Sequence, residues 1–441
     1  MKKIINFFSD RKTTIKKIFI TLIVVFIYLF GTYLYIPFLP KEIYTYLKNE
    51  SPDESLNLFL PSSFCILSLG VAPYITASII MQLAQKVIPL LKDWREQGSK
   101  GNYKINLTTK FLTLFTAIFQ GLALIFQFTR KIKFHNDIFQ KLGLKPKPEL
   151  TLNYYQIIII ISILVVGSFV CIWLANIITS KGISDGISFL IVVSVSKELS
   201  KNVKSLVSEG LLKKDLFNGG GVYLLILLLF FILLFLTVVL SSSYLKIPVY
   251  YMSTENNDKA LNHIPIKLNS AGVLPIILAN AILNVVFTLR FILSPANKFQ
   301  KFFSIFEESR SEYLGLGFFI YLLLIMLFAF FSIFMNINAN EIAQSLSKKN
   351  AYLEGKKPGK ETVDKINYEL FKITVIGVIF LTLLSAVPDL INIFFKKQLK
   401  QIGIKSSIGG TALLIVVGVA IECMKNLTKK TNIQKMHNTL F

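Results

Sequence analysis

The side chains in this sequence that could do covalent or metal chemistry are few and far apart. His135, His263 and His437 have no carboxylate, serine or cysteine at a spacing that would make a general base or an activated nucleophile. Cys65, Cys171 and Cys423 lie in separate apolar segments without a CxxC or Cys/His pattern, the setting of small packing residues and not of disulfides or metal ligands. Gly355-Lys-Lys-Pro-Gly-Lys-Glu-Thr362 looks like a phosphate loop, but three residues lie between its glycines where a Walker A needs four, and no buried strand precedes it. The chain therefore reads as a non-enzyme, with no cofactor and no metal site. Its function has to be sought in the segments that carry these residues.

Those segments are long and apolar. Of the 441 residues, 53% are hydrophobic and 17% charged, and the apolar residues fall in repeated runs of about twenty, which defines a polytopic, all-α membrane protein. Spans are expected near 18–36, 71–88, 109–128, 154–178, 186–199, 222–240, 271–289, 314–335, 370–388 and 407–424, an even number that places both termini on one side. The run 186–199 is the shortest, and without it the termini would separate. The first run is too long for a signal-peptide core and lacks a small-residue cleavage site, so it is read as a retained span.

The spans are nearly free of ionisable groups: Asp185 and Lys372 fall at span ends, Glu422 near the last span and Lys86 close to an interface. A pump or proton-coupled carrier places such groups inside the bilayer, so both are disfavoured. The net charge of +23 is open to three explanations: nucleic-acid binding, a basic membrane-surface face, or a genome biased toward Lys codons. The lysines are spread over every loop, which disfavours nucleic acid. The accompanying Asn, Ile and Phe bias fits an AT-rich bacterial or plastid genome. Lys2, Lys3, Arg11, Lys12, Lys16 and Lys17 precede the first span and place the N-terminus in the cytosol.

One span is interrupted. The segment Ser55 to Ser68 is apolar and Pro-broken, and as a helix would reach only about 20 Å against a hydrocarbon core of about 30 Å. It must stop inside the membrane, just before Leu69-Gly-Val-Ala-Pro-Tyr-Ile-Thr-Ala-Ser-Ile-Ile-Met-Gln82. A broken helix at that depth requires neighbouring protein or a water-filled cavity to satisfy its backbone. Two polar segments, Ser241–Asn269 and Asn336–Glu369, are much longer than the few residues that usually link bundle helices, and are expected to protrude as a docking platform. Lys181-Gly-Ile-Ser-Asp-Gly-Ile-Ser188 makes a Gly-rich turn between spans four and five. Ile187 and Ile191 share a helix face, as do Val71 and Ile75. That spacing alone does not separate pore-lining residues from lipid-facing or core ones.

Five stretches, in order, resemble the SecY family, the channel-forming subunit of the Sec protein translocon: Leu69–Ile80, Lys181–Ser188, His263-Ile-Pro-Ile-Lys-Leu-Asn-Ser-Ala-Gly-Val-Leu-Pro275, Pro358-Gly-Lys-Glu-Thr362 and Gly409-Gly-Thr-Ala-Leu-Leu-Ile-Val-Val-Gly418. The similarity runs from about Ile18 to Met424. It implies ten helices in two inverted five-helix halves, 1–205 and 206–441, around a central pore that opens sideways between spans two and three and spans seven and eight. By similarity, Val71, Ile75, Ile187, Ile191, Ile277 and Ile415 form an apolar pore ring, and residues 54–69 a plug. Thr76, Gln120 and Asn280 would sit at the lateral gate, and Lys246, Lys356, Lys357 and Lys360 would serve motor or ribosome docking. The implied partners are a SecE-like and a SecG-like small membrane subunit, the SecA ATPase or a ribosome, preprotein signal sequences and the lipid bilayer. The implied place is the bacterial cell membrane, with a plastid membrane second.

The chain departs from the family's usual pattern in four places. No glycine lies in Ser51–Ser62 ahead of the plug. Lys357 stands where Arg commonly precedes Pro-Gly, keeping the charge but losing the bidentate fork. The loop Ser241–Asn269 is shorter and less basic, with Lys246 where arginines are usual. Asp185 replaces a commoner Asn. Two rival readings remain: a small-solute transporter of inverted-repeat type, and an insertion factor that works by a groove instead of a pore.

Overall fold

The structure, a computed structural model, describes residues 2–37, 65–141, 153–205, 207, 220–251, 263–268, 272, 274–292, 316–336, 339–348, 351–353, 359–395, 415–421 and 423–424. In chain order the helices are α1 (Lys2–Gly31), α2 (Ala72–Val87), α3 (Pro89–Glu96), α4 (Ser99–Lys141), α5 (Tyr154–Lys181) and α6 (Gly186–Ser205), then α7 (Gly220–Ser242), α8 (Leu274–Ile292), α9 (Leu316–Asn336), α10 (Ala339–Lys348) and α11 (Lys360–Phe394). Residues 415–421 are also helical. Each of the ten expected spans overlaps one of these helical stretches, the last of them, 407–424, through residues 415–421 and 423–424.

The apolar runs become helices because a backbone in hydrocarbon must satisfy its polar groups internally. Within α4, α5 and α11, the stretches Ser99–Phe126, Tyr154–Lys181 and Lys360–Val387 are each 28 residues long and apolar enough to cross a bilayer. Their hydroxyls are absorbed locally: Thr109, Thr113, Thr179 and Thr374 each donate to the carbonyl four residues back. The start of α5 is fixed by a capping contact in which the Asn153 N–H donates to Gln156 Oε1 at 3.0 Å. On α7, Leu224, Leu228, Phe231 and Phe235 are exposed while Tyr223, Ile226 and Phe230 are buried. That distribution fits a helix with bilayer on one side and protein on the other.

The helix pairs repeat. In the first part of the chain α2 packs on α4, α4 on α5 and α1 on α5; in the second, α8 packs on α9, α9 on α11 and α7 on α11. The two sets meet where α8 lies against α2 and α4. A large apolar cluster occupies this junction, with a smaller one, built on Leu69, Ala117, Leu124, Ile160 and Leu164, beside it.

One feature has no counterpart in the expectations. The polar segments 241–269 and 336–369 are joined by a three-stranded antiparallel sheet in the order β2-β1-β3, with β1 Tyr244–Tyr251, β2 His263–Lys267 and β3 Ala351–Leu353. Ile247 pairs with Ile264 and Val249 with Leu353. Ile247, Val249, Ile266 and Leu353 bury one face of the sheet against Ala339, Ala343 and Leu346 of α10 and Ile366, Leu370 and Ile373 of α11. The described parts of the two segments thus form a single apolar-cored unit on the N-terminal part of α11.

Candidate functional site

The entrance to α2 is a tight turn. Gly70 has φ of 50°, a left-handed conformation that glycine adopts without strain. Val71 is the N-cap residue and Pro73 lies in the first helical turn, where its missing N–H costs no hydrogen bond. Residues 65–70 fold back as a turn instead of ending a helix, because Tyr35 bridges to Cys65 and the Ile66 N–H donates to Leu34 O at 3.0 Å. Most of the expected plug, 54–64, lies outside the described residues. At its other end α2 stops at Val87, and the chain bends by 98° into the short α3, so this element is bent sharply at one end and begins on a turn at the other.

The six aliphatic residues of the expected pore ring all belong to or pack against one large apolar cluster. Val71, Ile75, Ile191 and Ile415 are buried members of the large central cluster, and the half-buried Ile187 and Ile277 pack against it. Four helical elements contribute: the head of α2, α6, α8 and 415–421. The cluster also extends to Tyr223 and Ile226 of α7 and Tyr321 and Ile325 of α9, so the six form part of a larger apolar body. Bulky aliphatics meeting at the middle of a bundle can exclude water and ions, and they offer no hydrogen bond that would hold a passing polypeptide.

Beside them runs a polar seam. Gln120 Nε2 on α4 donates to Thr76 Oγ1 on α2 at 3.1 Å. The Thr76 hydroxyl donates in turn to Ala72 O at 3.1 Å. One turn along α4, the Thr116 hydroxyl reaches Pro73 O at 3.0 Å and is shared with Thr113 O. Thr116 was missed by the sequence reading, although its place four residues before Gln120 puts it on the same helix face. The third expected gate residue, Asn280, is buried on α8, which packs against both α2 and α4. Its Nδ2 has no hydrogen-bond partner among the described residues. The bonds of the seam therefore tie α2 to α4.

Asp185, the unexplained charge, has a local role. Its Oδ2 accepts from the Ser188 N–H at 3.0 Å and from the Ser188 hydroxyl at 2.8 Å, while the Phe189 N–H donates to Asp185 O at 3.1 Å. This is N-cap geometry at the start of α6, and the negative charge also complements the positive end of the helix. Asp185 thereby fixes the first turn of the helix that carries Ile187 and Ile191.

Of the expected docking residues, Lys246 is exposed on β1, opposite Pro265, on the sheet face away from the buried Ile247 and Val249. Lys360 is exposed at the first residue of α11. Lys356 and Lys357 lie outside the described residues. Among the described residues, no group of His, Cys, Asp and Glu is arranged to hold a metal ion.

Known proteins resemble this chain in sequence and in fold. The SecY family pattern matches residues 65–424. The Protein translocase subunit SecY of Staphylococcus carnosus (strain TM300) is 30% identical over 437 residues, covering 97% of this chain and 96% of that one. The SecY of Staphylococcus epidermidis (strain ATCC 12228 / FDA PCI 1200) is 32% identical over 434 residues, covering 96% and 95%. The fold matches a solved protein-conducting channel with a TM-score of 0.61 at 16% identity, covering 95% of this chain and 93% of that one. It also matches Sec61 in a canine ribosome–channel complex, with a TM-score of 0.58 at 17% identity and coverage of 95% and 93%. The chain belongs to the SecY family.

Proposed function

We propose that this chain is the protein-conducting channel subunit of a Sec translocase, passing unfolded preproteins across a membrane and releasing apolar segments sideways into it. The observation that supports the reading is that Val71, Ile75, Ile187, Ile191, Ile277 and Ile415 all belong to or pack against one apolar cluster at the junction of two sets of helices packed in the same pairwise pattern. In this reading the sets are two inverted halves, 1–205 and 206–441, and the six residues close the resting channel. They part around a polypeptide without binding it.

Lateral release proceeds between α2 with α4 on one side and α8 with α9 on the other. Thr76 and Gln120 belong to the first side and Asn280 to the second. Interhelical hydrogen bonds in membranes are worth about 0.6–2 kcal/mol each, weak enough for an arriving signal helix to displace. The chain makes and breaks no covalent bond, so the driving energy comes from a partner, SecA or a translating ribosome, docking on the basic surface that includes Lys246, Lys356, Lys357 and Lys360. SecE-like and SecG-like subunits complete the complex. The setting is the cell membrane of a bacterium, with both termini in the cytosol.

Depletion of the protein from its host, followed by the fate of a secreted preprotein, tests the reading. The preprotein should accumulate inside the cell with its signal sequence uncleaved; undiminished export contradicts the proposal. A solute transporter of inverted-repeat type is not favoured, because it would need coupling charges within the spans.

A further inference from the structure

The turn ahead of α2 is held with unusual closeness by two glycines on different helices. Cys65, Leu67, Ser68 and Leu69 are all at most 4% exposed. Inside the turn the Ser68 hydroxyl donates to Cys65 O at 2.6 Å and the Gly70 N–H to Leu67 O at 2.9 Å. A methyl group on Gly167 of α5 would collide with the carbonyl oxygen of Ile66 and stand 3.0 Å from the carbonyl carbon. A methyl group on Gly31, the last residue of α1, would strike the Leu67 side chain, whose Cγ would be 3.1 Å away. The absence of two side chains thus lets consecutive residues sink against α1 and α5, a close approach of the kind small residues permit between membrane segments.

The turn is coupled directly to the constriction. The Ala72 N–H donates to Leu69 O at 3.2 Å and the Ile75 N–H to Val71 O at 3.1 Å, so backbone bonds run from the buried turn into α2. Val71 lies four residues beyond Leu67 and in the same apolar cluster. The two glycine contacts differ in kind: Gly167 faces backbone, which cannot give way, and Gly31 faces the end of a flexible side chain.

We propose that Gly31 and Gly167 are positioning residues for the channel seal: by seating Ile66 and Leu67, they set the depth at which Val71 and Ile75 enter the constriction. This inference rests on the channel reading above. A residue with a purely structural role would, when changed, lower the amount of folded protein. A positioning residue changes how tightly the idle channel holds back ions while the protein still accumulates.

The test is resting ion leak from vesicles containing the full chain with its small membrane partners, measured at matched protein content. Gly167→Ala should raise the leak several-fold and Gly31→Ala should raise it less. Gly121→Ala, where the added methyl would meet Leu164 and Leu69 at an ordinary 3.8 Å, should match the unmodified chain. Adding Leu67→Ala should suppress the leak of Gly31→Ala and leave that of Gly167→Ala in place. The pair Ile75→Ser with Ile191→Ser reports on the channel reading itself. Leak from the isoleucine variant with none from either glycine variant overturns the positioning role and leaves the channel; no leak from any variant overturns both. Should Gly167→Ala fail to accumulate, the Gly31 variants decide: leak in Gly31→Ala that Leu67→Ala suppresses supports the proposal, and equal leak in both, or none in either, overturns it.

Discussion

Gln120 and Thr76, 44 residues apart, are joined by a 3.1 Å hydrogen bond that ties α4 to α2. Because both helices lie on one side of the proposed lateral opening, the bond stiffens one wall and does not latch the two walls together. Replacing both groups with apolar isosteres, Thr76→Val and Gln120→Leu, should give a coupling of about 0.6–1.7 kcal/mol in a double-mutant cycle on thermal unfolding of the detergent-solubilised complex. Strict additivity of the two single changes would place the bond outside the stable seam.

Asn280, on α8, belongs to the other wall of the proposed opening. Its buried Nδ2 has no partner among the described residues, and an unpaired buried donor costs about 1–3 kcal/mol. Asn280→Leu removes that cost from the closed arrangement and should shift the opening equilibrium toward closed. Export of a preprotein with a shortened apolar signal core should then fall by about tenfold, since about 1.4 kcal/mol is a factor of ten, while a strongly apolar signal is affected less. Equal effects on both signals would show that Asn280 does not set the opening threshold.

Asp185 is an N-cap whose carboxylate accepts two hydrogen bonds from Ser188. Asp185→Ala should destabilise the protein by about 0.5–2 kcal/mol, whereas Asp185→Asn, which caps nearly as well, should cost only a few tenths. A thermal unfolding series in detergent checks the order. A large loss in the Asn variant would mean that the charge acts elsewhere.

The exposed Lys246 and Lys360 flank the apolar core under the three-stranded sheet without entering it. Lys246→Glu with Lys360→Glu should leave the fold intact and weaken SecA or ribosome binding, with a smaller salt dependence than the unmodified chain shows. Binding measured at two salt concentrations decides this; unchanged affinity at low salt would remove both residues from the docking surface.

The helices were legible because hydrocarbon length and backbone satisfaction leave few alternatives for runs such as Gly220–Ser242 and Leu316–Asn336, which carry no charge at all. The three-stranded sheet was not legible. Its strand β3 has three residues, too few for any period, and its partner Val249 lies about a hundred positions earlier. Asp185 could have been recognised, since Asp-x-x-Ser at a helix start is a capping pattern. Thr116 was hidden among several hydroxyls that bond only their own helix. Four of the expected ring residues, Val71 with Ile75 and Ile187 with Ile191, occupy i, i+4 positions that lipid-facing aliphatics share, so family resemblance singled out the six and periodicity did not.

The most direct measurement is photo-crosslinking from the constriction to a translocating chain. A crosslinker in place of Ile191, buried in the central cluster, is compared with one in place of Leu228, exposed on the outer face of α7, during translocation of a preprotein arrested midway. The channel account predicts a crosslink from position 191 to the polar middle of the arrested chain and none from position 228. Arrest and export that proceed without any crosslink from position 191, or from equivalent probes at Ile75 and Ile415, would contradict it.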